Sequence, residues 1–240
     1  MFEITTIAGG VVIGAGLAWI LERWVGFFLK QHAATDPEEY PQTTAENHFR
    51  PISSWFIFAG MLVAAAVLCG WRQWSPELLN DLVLVTALVG IAWIDRKTLL
   101  IKGRMVALAM ALRLLWLAFF APHQMLDSLA GLLIGAGLLY LIGFLYETFR
   151  HRQGLGEGDA AVLGLIGMWV GWQGLGTVLL IAALSGIVIG GISLLRQKKA
   201  NQNIPDLLQT QIPFAPFLCL GGLIVYFLQE TGFSGIGFGF

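Results

Sequence analysis

The sequence predicts an all-α protein: a polytopic membrane bundle of about eight transmembrane helices with both termini outside. Three observations carry this reading. Of 240 residues, 57% are hydrophobic and only 12% are charged, and the mean hydropathy is +0.74. A water-soluble globule carries roughly 25% charged residues. With half that share the chain cannot cover a water-facing surface, so lipid is the solvent that fits it. The apolar residues gather into long runs of the size a membrane helix needs, about 20 residues each. The basic residues, finally, fall on alternate loops. A net charge of −1 argues against a nucleic-acid partner.

The first span covers residues 4–29. No basic stretch precedes it and no small-residue cleavage site follows, only Glu22-Arg23-Trp24. It therefore reads as a retained helix rather than a removable signal. Residues 30–52 form a short loop whose polar stretch, 30–50, has two prolines and many charges. The second span is 53–70, and Ser75-Pro76-Glu77 is a helix start before the third, 81–101. The fourth is 105–121, broken by Pro122-His123-Gln124, and the fifth is 126–149. The sixth, 159–172, is short and turns at Gln173-Gly174 into the seventh, 175–195. A polar loop over 196–211 leads to the eighth, 213–228. Residues 1–240 read as one integral membrane domain.

Lys and Arg favour cytoplasmic loops. Of the 14 basic residues, 11 lie on the loops after the first, third, fifth and seventh spans. The opposite loops hold Arg72 alone, and Arg23 and Arg113 fall within spans. An even number of spans with both termini outside satisfies this bias. It also places Asp95 and Asp159 at the same, cytoplasmic, membrane face, although they are far apart in the chain.

Carboxylates in an apolar zone are expensive and face a protein interior or a water-filled cavity. Asp95 closes the apolar run Val89-Gly90-Ile91-Ala92-Trp93-Ile94. Asp159 ends Gly154-Leu155-Gly156-Glu157-Gly158-Asp159, whose glycines permit a tight entry into the sixth helix and close backbone approach. The bland readings are a helix-end Asp95 paired with Arg96 or Lys97, and a helix-capping Asp159. Brought together, two carboxylates cannot both ionise easily and hold one proton between them. The ionised member can then activate water while the protonated one polarises a carbonyl. That chemistry hydrolyses a peptide bond without a metal, a cofactor or a nucleophilic side chain. No HExxH is present, and the histidines are scattered among the loops. Cys69 and Cys219 read as small core residues. Arg113, mid-span, either snorkels or meets an acid such as Asp127 or Glu147. Glu157 is solvated or tunes Asp159. Most glycines of the last four spans read as helix-packing contacts.

The chain resembles the type IV prepilin leader peptidases, the bacterial branch of the Gly-x-Gly-Asp membrane aspartyl proteases. Four ordered stretches within about residues 85–225 carry the resemblance. They are Ile94-Asp95 followed by Thr98 and an apolar pair, Gly154 to Asp159, Gly167-Met168-Trp169-Val170-Gly171-Trp172-Gln173, and Ile212-Pro213-Phe214-Ala215-Pro216 through Gly222. The resemblance implies that Asp95 and Asp159 are catalytic and that Gly154, Gly156, Glu157 and Gly158 build the motif around the second. It implies prepilin or pseudopilin substrates, cut after a short basic leader at the cytoplasmic face of the inner membrane. Pilus or type II secretion machinery would be the partner. The chain departs from the pattern at Ile101-Lys102-Gly103, where many members have Leu-Pro-Asp. It departs again at Ala160-Ala161-Val162, where an apolar residue and Lys usually follow the Gly-Asp. Loop 30–52 stands where many members carry a cytoplasmic domain with paired CxxC motifs, so neither N-methyltransferase activity nor a zinc site is carried over. The expectation is a membrane aspartic endopeptidase. The alternatives are a non-catalytic scaffold for pilin-like subunits and a transporter, which would show an internal repeat.

Overall fold

The computed structural model describes residues 4–35, 51–72, 74–98, 101, 103–150, 156–199 and 214–231. All secondary structure among them is helical, as composition predicts. In chain order the helices are α1 (Ile4–Thr35), α2 (Pro51–Arg72), α3 (Pro76–Thr98), α4 (Gly103–Phe120), α5 (Met125–Arg150), α6 (Glu157–Lys199) and α7 (Ala215–Glu230). A single 3-10 turn, Pro122–Gln124, links α4 to α5. Five segments are long and apolar enough to cross a membrane: Ala8–Phe27, Pro76–Arg96, Gly103–Phe120, Pro122–Phe149 and Gly158–Ile192. Ala59–Arg72 and Ala215–Glu230 are shorter apolar helices. Loop 30–52 lies largely outside the described residues, and α1 already extends to Thr35.

The chain divides into two compact units, Met1–Gly90 and Ile91–Phe240. In the first, α1 packs on α2 where Gly10 removes the side chain. A Cβ there would lie 2.8 Å from the Ala65 carbonyl oxygen and 2.8 Å from Cys69 Cβ. Arg72, in the last turn of α2, donates Nε–H to Asp81 Oδ2 at 2.9 Å. The Asp81 side chain is fully buried while that of Arg72 is 19% exposed, so the ion pair compensates a charge held in the interior. Breaking a buried pair by removing one partner costs about 3–5 kcal/mol, because the other charge is left uncompensated. Arg72→Leu is therefore expected to lower stability by about that much, and Arg72→Leu with Asp81→Leu to recover most of it. Thermal unfolding of the detergent-solubilised protein checks this; a single variant that melts with the wild type contradicts it.

In the second unit, α5 and the first part of α6 cross at glycines. A Cβ on Gly131 would collide with the Gly167 carbonyl, and one on Gly167 with that of Gly131. One turn along, a Cβ on Gly135 would lie 2.7 Å from the Leu163 carbonyl oxygen. Small residues spaced by four let helix backbones meet in this way, which bears out the packing role expected for these glycines.

α6 is not one rod. Gly171 has φ 74° and ψ 168°, a conformation essentially restricted to glycine. The contacts of α7 show what this break does. Gly222 faces Ile166, Gly221 faces the Val178 carbonyl, and Phe217 lies against Gly186. Going up α7, the partners on the far arm of α6 therefore run backwards in sequence. The near arm runs forwards, from Ile166 beside Gly222 to Val170 beside Gln229. The two arms, 157–170 and 172–199, are antiparallel, and the chain reverses at Gly171. The turn was expected at Gln173-Gly174. It falls earlier because Gly171 is the one glycine among the described residues with positive φ, while Gly174 serves packing: a Cβ there would meet the Val170, Val225 and Gln229 side chains.

Candidate active site

Asp95 sits at the C-terminal end of α3, after the buried pair Trp93 and Ile94 and before the exposed Arg96. It is itself 4% exposed. Its carboxylate accepts a hydrogen bond from the backbone N–H of Ala215, the first residue of α7. That N–H is one of the donors a helix start leaves without an intrahelical partner, and the positive end of the α7 dipole favours a negative charge there. Asp95 Oδ2 is buried and has no hydrogen-bond partner among the described residues. A buried unsatisfied acceptor costs about 1–3 kcal/mol, so an oxygen left in that condition calls for a functional explanation.

Asp159 is half-buried in the first turn of α6. Its own N–H donates to the Gly156 carbonyl at 3.0 Å, closing the turn at the helix entry. Asp159 is thus not the capping residue; Gly156 holds the position before the helix. A Cβ on Gly156 would lie 3.6 Å from Asp159 Oδ2, so the carboxylate folds back over the glycine turn. Asp95 and Asp159 are close enough for the charge of one to act on the other. Two aspartates from distant stretches of the chain thus lie within electrostatic range of one another.

Cys219, one turn into α7, lies within electrostatic reach of both carboxylates and is hydrogen-bonded to the Ala92 backbone. The pairs Ala215–Asp95 and Cys219–Ala92 are two rungs, one turn apart, between α7 and the end of α3. A cysteine in an apolar run gives no sign of this, since only the rung spacing reveals it. Gly158 has a different task. A Cβ there would lie 2.7 Å from Ile101 Cβ and 2.9 Å from its Cδ1. Ile101, in the link from α3 to α4, thus packs directly on the glycine motif at one of the two places where the chain departs from the family pattern. Gly154 lies outside the described residues, as do Leu99 and Leu100; Glu157 opens α6, and its side chain is not described.

This contact makes Gly158 sensitive to a single methyl group. Gly158→Ala is expected to cut activity about 10- to 100-fold, the scale of a 1 Å misplacement near a reacting centre. Ile101→Gly should restore it and Ile101→Ala should not, because the closest atom is Ile101 Cβ. Relative rates of the three variants at matched protein levels check this; equal rescue by glycine and alanine contradicts it.

Fold and site define a class: a multi-pass helical membrane protein with two aspartates within electrostatic range of one another. Comparison with known proteins narrows it. The type IV leader peptidase family matches residues 82–191, a stretch that includes both aspartates. A relative from Escherichia coli (strain K12), named prepilin leader peptidase/N-methyltransferase, is 32% identical over 165 residues, 68% of this chain and 70% of that protein. A relative of the same name from Pseudomonas aeruginosa is 31% identical over 72% of this chain and 61% of that protein. One from Stutzerimonas stutzeri is 28% identical over 72% of this chain and 64% of that protein. The matches to these last two thus span less than two thirds of their length. No solved structure matches. The chain belongs to the type IV leader peptidase family, and is by that membership a peptidase.

Proposed function

We propose that this protein is an aspartic endopeptidase of the bacterial inner membrane that removes the basic leader of prepilin-like or pseudopilin proteins at the cytoplasmic face. What supports the proposal is that Asp95 and Asp159 lie within electrostatic range of one another, with Asp95 Oδ2 buried and without a hydrogen-bond partner among the described residues. Two carboxylates in reach of one another hold a single proton between them. The ionised member takes a proton from water as the water oxygen bonds to the scissile carbonyl carbon. The protonated member hydrogen-bonds the carbonyl oxygen as charge develops on it. The C–N bond then breaks and the leaving amine takes up a proton. The pair acts as a unit, so neither role belongs to one residue alone.

The charge bias of the loops supports the cytoplasmic face, and eight spans with both termini outside satisfy it. A substrate leader rich in Lys and Arg is attracted to the two carboxylates. The products are the leader peptide and a subunit for pilus or type II secretion machinery. Methylation of the new amino terminus is not part of the proposal.

Co-expression with a pseudopilin tests the reading. The expected result is a mobility shift from precursor to mature form that depends on the chain. A precursor that co-purifies with the wild-type chain and stays uncut overturns the peptidase reading in favour of a scaffold.

A further inference from the structure

Arg113 is a cation in the middle of an apolar helix, about 15 Å along α4 from Gly103. Charges at such depth are costly and mark function. The expectation that it snorkels is not met: the residue is 5% exposed. Instead its Nε–H donates to the Met168 carbonyl at 3.3 Å. Its guanidinium lies over the rings of Trp116 and Trp169, 5.2 and 5.1 Å from their centroids. The Met168 carbonyl belongs to the last turn of arm 157–170, which ends where Gly171 breaks the helix. The last four carbonyls of a helix lack intrahelical partners, and the helix end carries about half a negative charge. Within a membrane such groups must be satisfied by protein. A second carbonyl of the same turn, Val170, accepts Gln229 Nε2–H at 3.2 Å from α7. Arg113 and Gln229 thus cap one helix end from two different helices.

The other end of that helix carries Asp159. Its flank on α5 is close-packed: Gly131 meets Gly167 backbone to backbone, and Leu132 and Ala136 lie against Gly164. Ile101 on Gly158 blocks movement at the entry only. The polar bonds at the far end add directional holds on axial position, which apolar contacts alone do not supply.

We propose that Arg113, together with Gln229, is a positioning residue for Asp159: it fixes the far end of the Asp159 helix and thereby the placement of that carboxylate against Asp95. The inference rests on the reading of Asp159 as catalytic. It gives the Met168–Gly171 stretch a role, which is to end the helix, supply the carbonyls and stack on the cation.

Steady-state cleavage by the full-length protein, of a synthetic peptide spanning the leader and cleavage site of a prepilin-like protein, tests it. Arg113→Met keeps an apolar stem and removes the cap. Its kcat per folded molecule is expected to fall about 10- to 100-fold, with KM within about twofold. Arg113→Lys, which returns a cation and N–H donors, should recover at least about tenfold of that loss when it is near the upper end of this range. Gln229→Met should also lower kcat, and the double Met variant should lose less than the product of the singles. Should Arg113→Met fail to fold, Arg113→Lys and Gln229→Met still read the same helix end. Wild-type kcat in the folded Met variants overturns the inference, as does a fall in folded protein with kcat unchanged. Asp159→Asn is measured alongside. Cleavage by that variant removes the premise, whereas its inactivity beside fully active Arg113→Met and Gln229→Met removes the positioning role alone.

Discussion

Asp95→Asn and Asp159→Asn each lower leader cleavage by about 10²- to 10⁴-fold, the range supplied by positioned acid–base groups. Substrate capture weakens less than cleavage: each variant loses one carboxylate that attracts the basic leader, but the larger loss belongs to the transition state. The same variants keep or gain thermal stability. Asp95 is buried with one oxygen unsatisfied, and Asp159 places a second carboxylate within its field. Replacing either by a neutral amide of the same shape relieves that repulsion. Activity and stability thus move in opposite directions, as they do where a site is held in a costly arrangement for function. Cleavage assays and melting curves on the same preparations check the pair of signs. A variant that loses both activity and folded protein points to a structural aspartate instead.

Gly131→Leu and Gly167→Leu produce the largest structural effects in the molecule. At their crossing the backbones of α5 and the 157–170 arm touch, and the first atom of any side chain would fall on the opposing carbonyl group. Leucine can be placed only by separating the helices. Overpacking of a tight interior commonly costs 1–3 kcal/mol, and here no flexible side chain can yield, so a loss of about 3 kcal/mol or more is expected. The separation also moves Asp159, carried on the same arm, away from Asp95. Gly137 lies on the same helix with nothing within 4 Å of its would-be Cβ, so Gly137→Leu is the control and should be silent. Melting temperature and cleavage rate check this series; equal effects at Gly131 and Gly137 contradict it.

The membrane character and the helix ends are legible in the sequence because both follow from local chemistry. Apolar runs cannot face water, and Lys and Arg mark the loops on one side. That bias alone led to expecting Asp95 and Asp159 at one face, and the structure brings them into each other's field. What could not be read are contacts with no sequence spacing of their own. Ala215 bonds Asp95 through a backbone N–H, which any residue but proline supplies. Ile101 touches Gly158 because of where a link happens to pass. Arg113 was expected to snorkel or find an acid such as Asp127 or Glu147; one partner the sequence did not suggest is the Met168 carbonyl, left open as an acceptor where the helix breaks at Gly171. Gly171 itself is one of many glycines, and which of them takes positive φ is decided by the packing of α7 on both arms. Cys219 read as a core residue and is buried, yet it also lines the carboxylate pair.

The central claim is that Asp95 and Asp159 act together on one bond. Its most direct test is single-turnover cleavage of a leader peptide by the purified full-length chain, the two Asp→Asn single variants and the double variant. Residues that act as a unit are not additive. The predicted result is that either single substitution removes nearly all cleavage and the double variant is no slower than the singles. A single variant that retains near-wild-type cleavage, or a double variant whose loss is the product of two modest losses, would contradict it.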